Sequence, residues 1–68
     1  MTSDLDIYRT ARLLIQQHGA EAPIHAAMRA DAMLEKGDLD GLAVWKRIIR
    51  AVEEMLNREP PAAGEAVH

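Results

Sequence analysis

The stretch KGDLDGLAVWKRIIRAVEEMLN, residues 36–57, decides how this chain folds, because it holds a helix break and the clearest amphipathic pattern in the sequence. Gly37 follows an apolar-periodic segment, at the place where a residue in the left-handed conformation commonly ends a helix. Beyond it, apolar side chains recur at the three- and four-residue spacing of one helix face. We therefore predict a helix over about 39–57, with Asp38 or Asp40 as its N-cap. Its apolar stripe comprises Leu42, Trp45, Ile48, Ile49, Val52, Met55 and Leu56.

A second glycine-centred break, HGAEAP, separates two earlier helices. The first helix should span about 4–18, with Ser3 or Asp4 as its N-cap. The second should span about 21–36, with Pro23 in its first turn, where the missing N–H costs nothing. The predicted apolar stripes are Ile7, Ala11, Leu14 and Ile15 in the first helix, with Tyr8 at the edge, and Pro23, Ala27, Ala30 and Leu34 in the second, flanked by Ala26 and Met33.

Three amphipathic stripes joined by short loops predict an all-α, compact three-helix domain over residues 1–57. The second and third helices should form an antiparallel hairpin, with the first helix across them. One alternative is two long helices, the first merely kinked at Pro23. The segment REPPAAGEAVH, residues 58–68, has two prolines, a glycine and no periodicity. We expect it to be a flexible, disordered tail.

The composition excludes several classes of protein. Hydrophobic residues are 49% and charged residues 28% of the chain, a globular balance, and the aromatic share of 3% favours helices over strands. The absence of cysteine excludes disulfides and thiolate metal sites. No apolar run approaches the roughly 20 residues of a membrane span. The acidic start MTSDLDIY does not resemble a signal peptide. These features predict a cytoplasmic protein that does not contact a membrane.

Two of the three histidines, His18 and His25, lie seven residues apart with Glu21 between them. These three side chains would be at most three ligands spread over a turn, so we expect no metal site. His18 falls on the apolar stripe of the first helix, whereas His25 falls on the polar side of the second. We therefore expect His18 to face inward, hydrogen-bonded near the negative end of its helix, and His25 to face solvent.

Four further residues are assigned structural roles. Gly19 and Gly37 should end the first two helices. Helical side chains lean toward the N-terminus, so Trp45 should cover the turn around Gly41. A residue without a Cβ at that position would leave room for the indole or for an approaching helix. Alternatively, Gly41 merely lies in a loosely formed first turn.

No group of residues in the sequence resembles a catalytic site. Asp31 borders the apolar stripe of the second helix and could pair with His18 as an acid–base site. A half-exposed aspartate bonded to a nearby arginine or helix terminus is the simpler interpretation. The segment GDLDG has neither the spacing nor the lysine of a phosphate-binding loop. We therefore expect neither enzymatic activity nor a cofactor.

Lys46, Arg47 and Arg50 form a short basic patch on the polar side of the third helix. One interpretation is phosphate contact with nucleic acid. The other is a solvated face that Glu53 and Glu54 balance at helical spacing. The second is favoured, because the chain has a net charge of −3 and no aromatic residue lies on that face.

Apolar residues outside the three stripes indicate where a partner could bind. We predict a candidate interface centred on the outer side of the first helix. Four such residues are many for so small a domain, and domains of this size often gain stability by burying further surface. The candidate interface residues are Leu5, Leu13, Met28 and Leu39.

At LIQQHG…GDLDGLAVWKRI the chain resembles a family of short, uncharacterised bacterial proteins, mostly alphaproteobacterial, that is classed as a domain of unknown function. The resemblance covers roughly residues 7–56. The family carries no assigned activity or catalytic residues, so the resemblance implies none here. The alanine-rich helix, GD turn and tryptophan-bearing helix are also similar to one hairpin of a tetratricopeptide-type repeat, although such repeats need several copies. The matching positions are His18, Gly19, the alanines of the second helix, Gly37, Asp38, Gly41, Trp45, Ile48 and Ala51.

For the function, the sequence favours a small non-enzymatic helical interaction module that acts by self-association or by docking on a protein partner. The alternative is a nucleic-acid-associated regulator that uses the basic patch of the third helix. Both remain hypotheses at this point.

Overall fold

The computed structural model describes residues 3–58, which form three α-helices. Helix α1 spans Asp4–His18, α2 spans Ala22–Lys36 and α3 spans Leu39–Arg58. A 3-10 turn, Gly19–Glu21, joins α1 to α2. This part of the chain contains no β-strand. The prediction of an all-α, three-helix domain is therefore confirmed for the described residues.

The predicted bounds differ from the observed ones at two places. Glu21 belongs to the 3-10 turn rather than to α2. Helix α3 continues to Arg58, which the sequence had assigned to the tail. The rest of the predicted tail, residues 59–68, lies outside the described residues.

The first break depends on a backbone conformation that only glycine adopts readily. Gly19 has φ 60° and ψ −131°, and its N–H donates to the carbonyl of Ile15. Other residues are strained there because a Cβ would meet the backbone. The turn at Gly19 stops α1, so α1 and α2 are separate helices and not one helix kinked at Pro23.

The second break is a Schellman turn followed directly by an N-cap. Gly37 is left-handed, with φ 75° and ψ 18°. Its N–H donates to the carbonyl of Leu34 at 3.0 Å, and the N–H of Asp38 donates to the carbonyl of Met33 at 2.9 Å. The Asp38 carboxylate then accepts a bond from the N–H of Gly41 at 2.9 Å. Of the two predicted caps, Asp38 is thus the one that starts α3.

Gly41 lies close to the capping carboxylate of Asp38 and to the side chain of Met33 on α2. A Cβ at this position would lie 2.6 Å from Oδ2 of Asp38 and 2.8 Å from Sδ of Met33. Of the two neighbours predicted for Gly41, the approaching helix is present, since Met33 belongs to α2, whereas the indole of Trp45 is not among the three nearest atoms. The predicted structural role of Trp45 itself is consistent with its position, since it packs against the core.

Helix α3 is the centre of the domain. It packs against both other helices, most extensively against α2. The start of α1 lies beside the middle of α3, and the second half of α1 lies beside the end of α3, so the two helices run in the same direction. The core contains Ile7, Ala11, Ala22, Ala26, Ile48, Ala51 and Val52, with Leu14, Ile15, Val44, Trp45, Ile49, Met55 and Leu56 packed around it.

The buried face of α2 differs from the predicted one. Ala30 of the predicted stripe and the flanking Ala26 are buried, together with Ala22, whereas Ala27 and Leu34, expected to face inward, are exposed. At 100° per residue, the true stripe is rotated by roughly 70° from the predicted one. The physical reason is that the large side chains of α3 fill the space between the helices, so α2 approaches through its smallest residues.

Candidate interaction surface

The described part of the chain buries small side chains and exposes large ones. Eight apolar residues are buried, and five of them are alanine; Val52 is the largest side chain that is fully buried. Several large apolar side chains exposed on one small domain indicate an interaction surface better than a single exposed leucine does, because a small domain has few large apolar residues with which to build its core. The exposed large apolar residues are Leu5, Tyr8, Leu13, Ile24, Met28, Leu34 and Leu39.

On α1, the exposure expected from the sequence is confirmed. Leu5 is 59% and Leu13 is 51% exposed. Between them, Arg9 and Arg12 are also exposed, and helical spacing places all four on the outer side of α1. We call these four residues, together with Gln16, the outer face of α1.

On α2, the exposed surface is larger than the sequence indicated. Met28, predicted to be exposed, is 60% exposed, and Ile24 one turn earlier is 62% exposed. Sequence reasoning missed Ile24 and Leu34 because it placed the α2 stripe at the wrong angle. The signal that could have found them is the i, i+4, i+8 spacing of Ala22, Ala26 and Ala30, which marks a close helix contact.

The remaining candidate interface residue, Leu39, is the first residue of α3 and is 68% exposed. It lies just after the Schellman turn, whereas Leu5 and Leu13 lie on α1. The candidate residues are thus exposed as predicted, but they lie in three places. Leu5 and Leu13 are on the outer face of α1, and Met28 is on the outer side of α2 beside Ile24. Leu39 is alone at the start of α3.

An open groove borders the outer face of α1. It lies between the second half of α1 and the end of α3 and encloses about 440 Å³. Ile15 and Met55 are its apolar residues, and the remaining lining residues are Arg12, Gln16 and Arg58. Within the described part of the chain, two guanidinium groups and no carboxylate line the groove, which makes it locally positive, although the whole chain has a net charge of −3.

The predicted basic patch is exposed but not uniformly positive. Lys46, Arg47 and Arg50 all face solvent. Arg47 and Arg50 line a second, smaller depression, about 280 Å³, together with Asp4 and Glu54. The two carboxylates offset the two arginines, which weakens attraction for a polyanion.

The two histidines of the first break contact each other. The rings of His18 and His25 are stacked, with centroids 3.6 Å apart and an interplanar angle of 13°. Both residues are partly buried. The prediction that His25 faces solvent is wrong, because the turn at Gly19 folds the start of α2 back onto the end of α1. The stack ties the two helices together.

This stacked geometry is poorly suited to chelation by the pair. The lone pairs of imidazole nitrogens lie in the ring planes, which are nearly parallel here, and a zinc ion must sit about 2.0–2.1 Å from each nitrogen along its lone pair. Among residues 3–58, no group of three or more His, Asp or Glu side chains could hold a metal ion. We expect zinc addition to leave the ring resonances of His18 and His25 unmoved in an NMR titration.

Asp31 lies away from the histidines. It is exposed on α2, six residues after His25, which at helical spacing is about 9 Å along the axis and 120° around it. His18 faces His25 instead. The structure therefore does not bring Asp31 and His18 together as an acid–base pair.

No family model, curated protein or solved structure matches the chain in the comparisons made. The resemblance to short bacterial helical proteins therefore stays a prediction. In the part of the chain that the structure describes, no helix has both the length and the apolar character needed to cross a membrane.

Proposed function

We infer that this chain is a small non-enzymatic helical interaction module, which acts in the cytoplasm by self-association or by docking on a protein partner. The observation that supports this proposal is the distribution of apolar side chains. Large ones such as Leu13 and Ile24 lie exposed, 51% and 62%, while the core is built mostly of alanine. An interaction that covers them would add apolar burial that the isolated domain lacks.

The small core supports the same proposal. Single cores in domains of this size supply only about 3–5 kcal/mol. Fully burying one large aliphatic side chain contributes about 1.5–3 kcal/mol. Burying two or three of the exposed large apolar side chains at a contact would therefore add a free energy comparable to that of the whole core.

Sedimentation velocity over a wide concentration range, on the wild type and on Leu13→Glu, tests self-association. We expect the sedimentation coefficient of the wild type to rise with concentration and that of Leu13→Glu to stay constant. The control is Ala43→Glu, which adds the same charge at an exposed position of α3 outside the candidate interface. Circular dichroism of each variant checks that the helices remain.

A monomer at all concentrations would remove the self-association form and leave docking on another protein. Docking predicts that affinity capture from the source cell retains a partner with the wild type and loses it with Leu13→Glu. A wild-type protein that neither associates nor retains any Leu13-dependent partner would contradict the proposed function.

The second candidate is a nucleic-acid-associated regulator, which the shared exposure of Lys46, Arg47 and Arg50 on α3 favours. Phosphate contacts are strongest at low salt. A gel-shift assay at low salt should therefore show a shift that the triple change to glutamine removes. An unshifted probe would eliminate this candidate.

A further inference from the structure

We propose that the groove between α1 and α3 is a docking site for an acidic amphipathic helix of a partner protein. This inference rests on the proposed function and narrows it to one surface and one kind of partner. The groove residues are Arg12, Ile15, Gln16, Met55 and Arg58.

The charge of the groove indicates which charge its partner carries. Arg12 and Arg58 line it, and among residues 3–58 no aspartate or glutamate does. Arg9, one turn before Arg12 on α1, is exposed and adds a third positive charge on the same side. Glu54 precedes Arg58 by one helical turn but lines the other depression. A negatively charged partner is therefore attracted to this edge of an otherwise acidic chain.

The apolar residues select an amphipathic partner. Ile15 and Met55 are half-buried in the groove, and Leu13 is exposed on the outer face of α1, three residues before the groove residue Gln16. Methionine adapts its shape to different contacts, which suits a recognition surface. A partner that carried carboxylates alone would leave these apolar side chains in water, so the matching segment has both apolar and acidic residues.

The dimensions favour a helix over a small molecule. A small-molecule site typically buries most of its ligand, whereas this groove is open and is lined by five of the described residues. Its surface continues from Gln16 and Arg12 along the outer face of α1 through Arg9 to Leu5, at helical spacing over more than two turns. An elongated segment covers such a stripe, and a helix places anchors at i, i+3, i+4 and i+7 to match it.

The test is fluorescence anisotropy with a labelled 16-residue peptide that has leucines at i, i+3, i+4 and i+7 spacing and glutamates at most other positions. Two control peptides have lysine in place of glutamate, or the same acidic composition in scrambled order. We expect the acidic amphipathic peptide alone to bind the wild type at low salt, with affinity that falls as salt rises.

Variants locate the site. The double variant Arg12→Glu/Arg58→Glu should bind the acidic peptide about tenfold more weakly, because two exposed charge pairs turn repulsive. The control Arg47→Glu changes an exposed arginine on the balanced depression, and its affinity should stay within about twofold of wild type. The double variant should instead bind the lysine peptide, a gain that a misfolded protein would not show.

Several results would overturn the proposal. These are no binding of the acidic peptide, equal binding of the scrambled or lysine peptide, or an equal loss in Arg47→Glu. If the peptide binds only after residues 59–68 are removed, that segment occupies the groove in place of a partner. If Arg12→Glu/Arg58→Glu breaks a dimer, a second copy of the chain occupies it. If the peptide fails while Leu13→Glu still disrupts self-association, the proposed function stands and only the groove assignment falls.

Discussion

Helices α2 and α3 pack against each other with opposite chemistry. The α3 helix contributes large side chains to the core and its surroundings, among them Ile48, Val52 and Trp45. The α2 helix contributes only Ala22 and Ala26 to the same core and turns Ile24 and Met28 outward. Helix α3 thus supplies most of the apolar area of this contact, and the small side chains of α2 let the two helices pack closely.

This difference teaches why one amphipathic pattern predicts burial correctly and another does not. In α3 the apolar residues are also the large ones, so hydrophobicity and packing agree. In α2 the most hydrophobic residues, such as Leu34, are on the outside, because residues as small as alanine suit the space that α3 leaves. The exposed side of α2 is a consequence of this fit and supplies part of the candidate interaction surface.

The largest expected effect comes from truncating the core of α3. Ile48 is 3% exposed, so Ile48→Ala removes buried apolar contacts and leaves a cavity, which should cost about 2–5 kcal/mol of unfolding free energy. Since the whole domain is worth only a few kcal/mol, much of the protein should be unfolded at 25 °C. Urea titration followed by circular dichroism measures the loss. A loss below about 1 kcal/mol would show that α3 does not dominate the core.

The next largest effect is expected from enlarging a small side chain on the buried face of α2. Ala26 has no exposed area, so Ala26→Leu should push α2 away from α3 and destabilise the fold by about 1–3 kcal/mol. Ala27→Leu, on the adjacent exposed position, is the matched control and should change stability by less than about 0.5 kcal/mol. Thermal or urea unfolding compares the pair. The reverse order would mean that the predicted α2 stripe, and not the observed one, faces the core.

A smaller effect is expected at the turn that joins α2 to α3. Asp38→Ala removes the N-cap of α3 and should cost about 1 kcal/mol. Gly41→Ala alone should be nearly neutral, because the gain in helix propensity is offset by displacement of the Asp38 carboxylate. In the Asp38→Ala background, Gly41→Ala should become stabilising. A double-mutant cycle from urea titrations measures this coupling. Additive changes would show that the Asp38 carboxylate does not restrict residue 41.

The smallest effect is expected on the outer side of α2. Ile24→Ala is the matched counterpart of Ile48→Ala, since the same atoms are removed from a side chain that is 62% exposed. Unfolding free energy, measured at a dilute concentration, should change by less than about 0.5 kcal/mol. A loss comparable to that of Ile48→Ala would place Ile24 in a buried contact that the single chain does not show.

Much of the fold could be predicted because its signals are local. Gly19 and Gly37 have positive φ, and they end helices at the predicted positions. Ser3 and Asp38 cap through bonds to the third residue beyond them, at 3.2 Å and 2.9 Å. The exposure of Leu13 and Met28 followed from helical periodicity alone. Such features depend on residues within one or two turns, which a single sequence displays directly.

The features that could not be predicted all depend on a second helix. The sequence by itself determined three helices, their breaks and the inward stripes of α1 and α3, and it narrowed the N-caps of α1 and α3 to two residues each, because these follow from backbone conformation and periodic burial. Only the tertiary structure decided which face of α2 is buried, that His25 stacks on His18, and that Arg12 and Arg58 meet at one groove. The physical reason is that packing joins residues far apart in the chain, and the shape of the neighbouring helix, rather than hydrophobicity alone, selects which side chains fit.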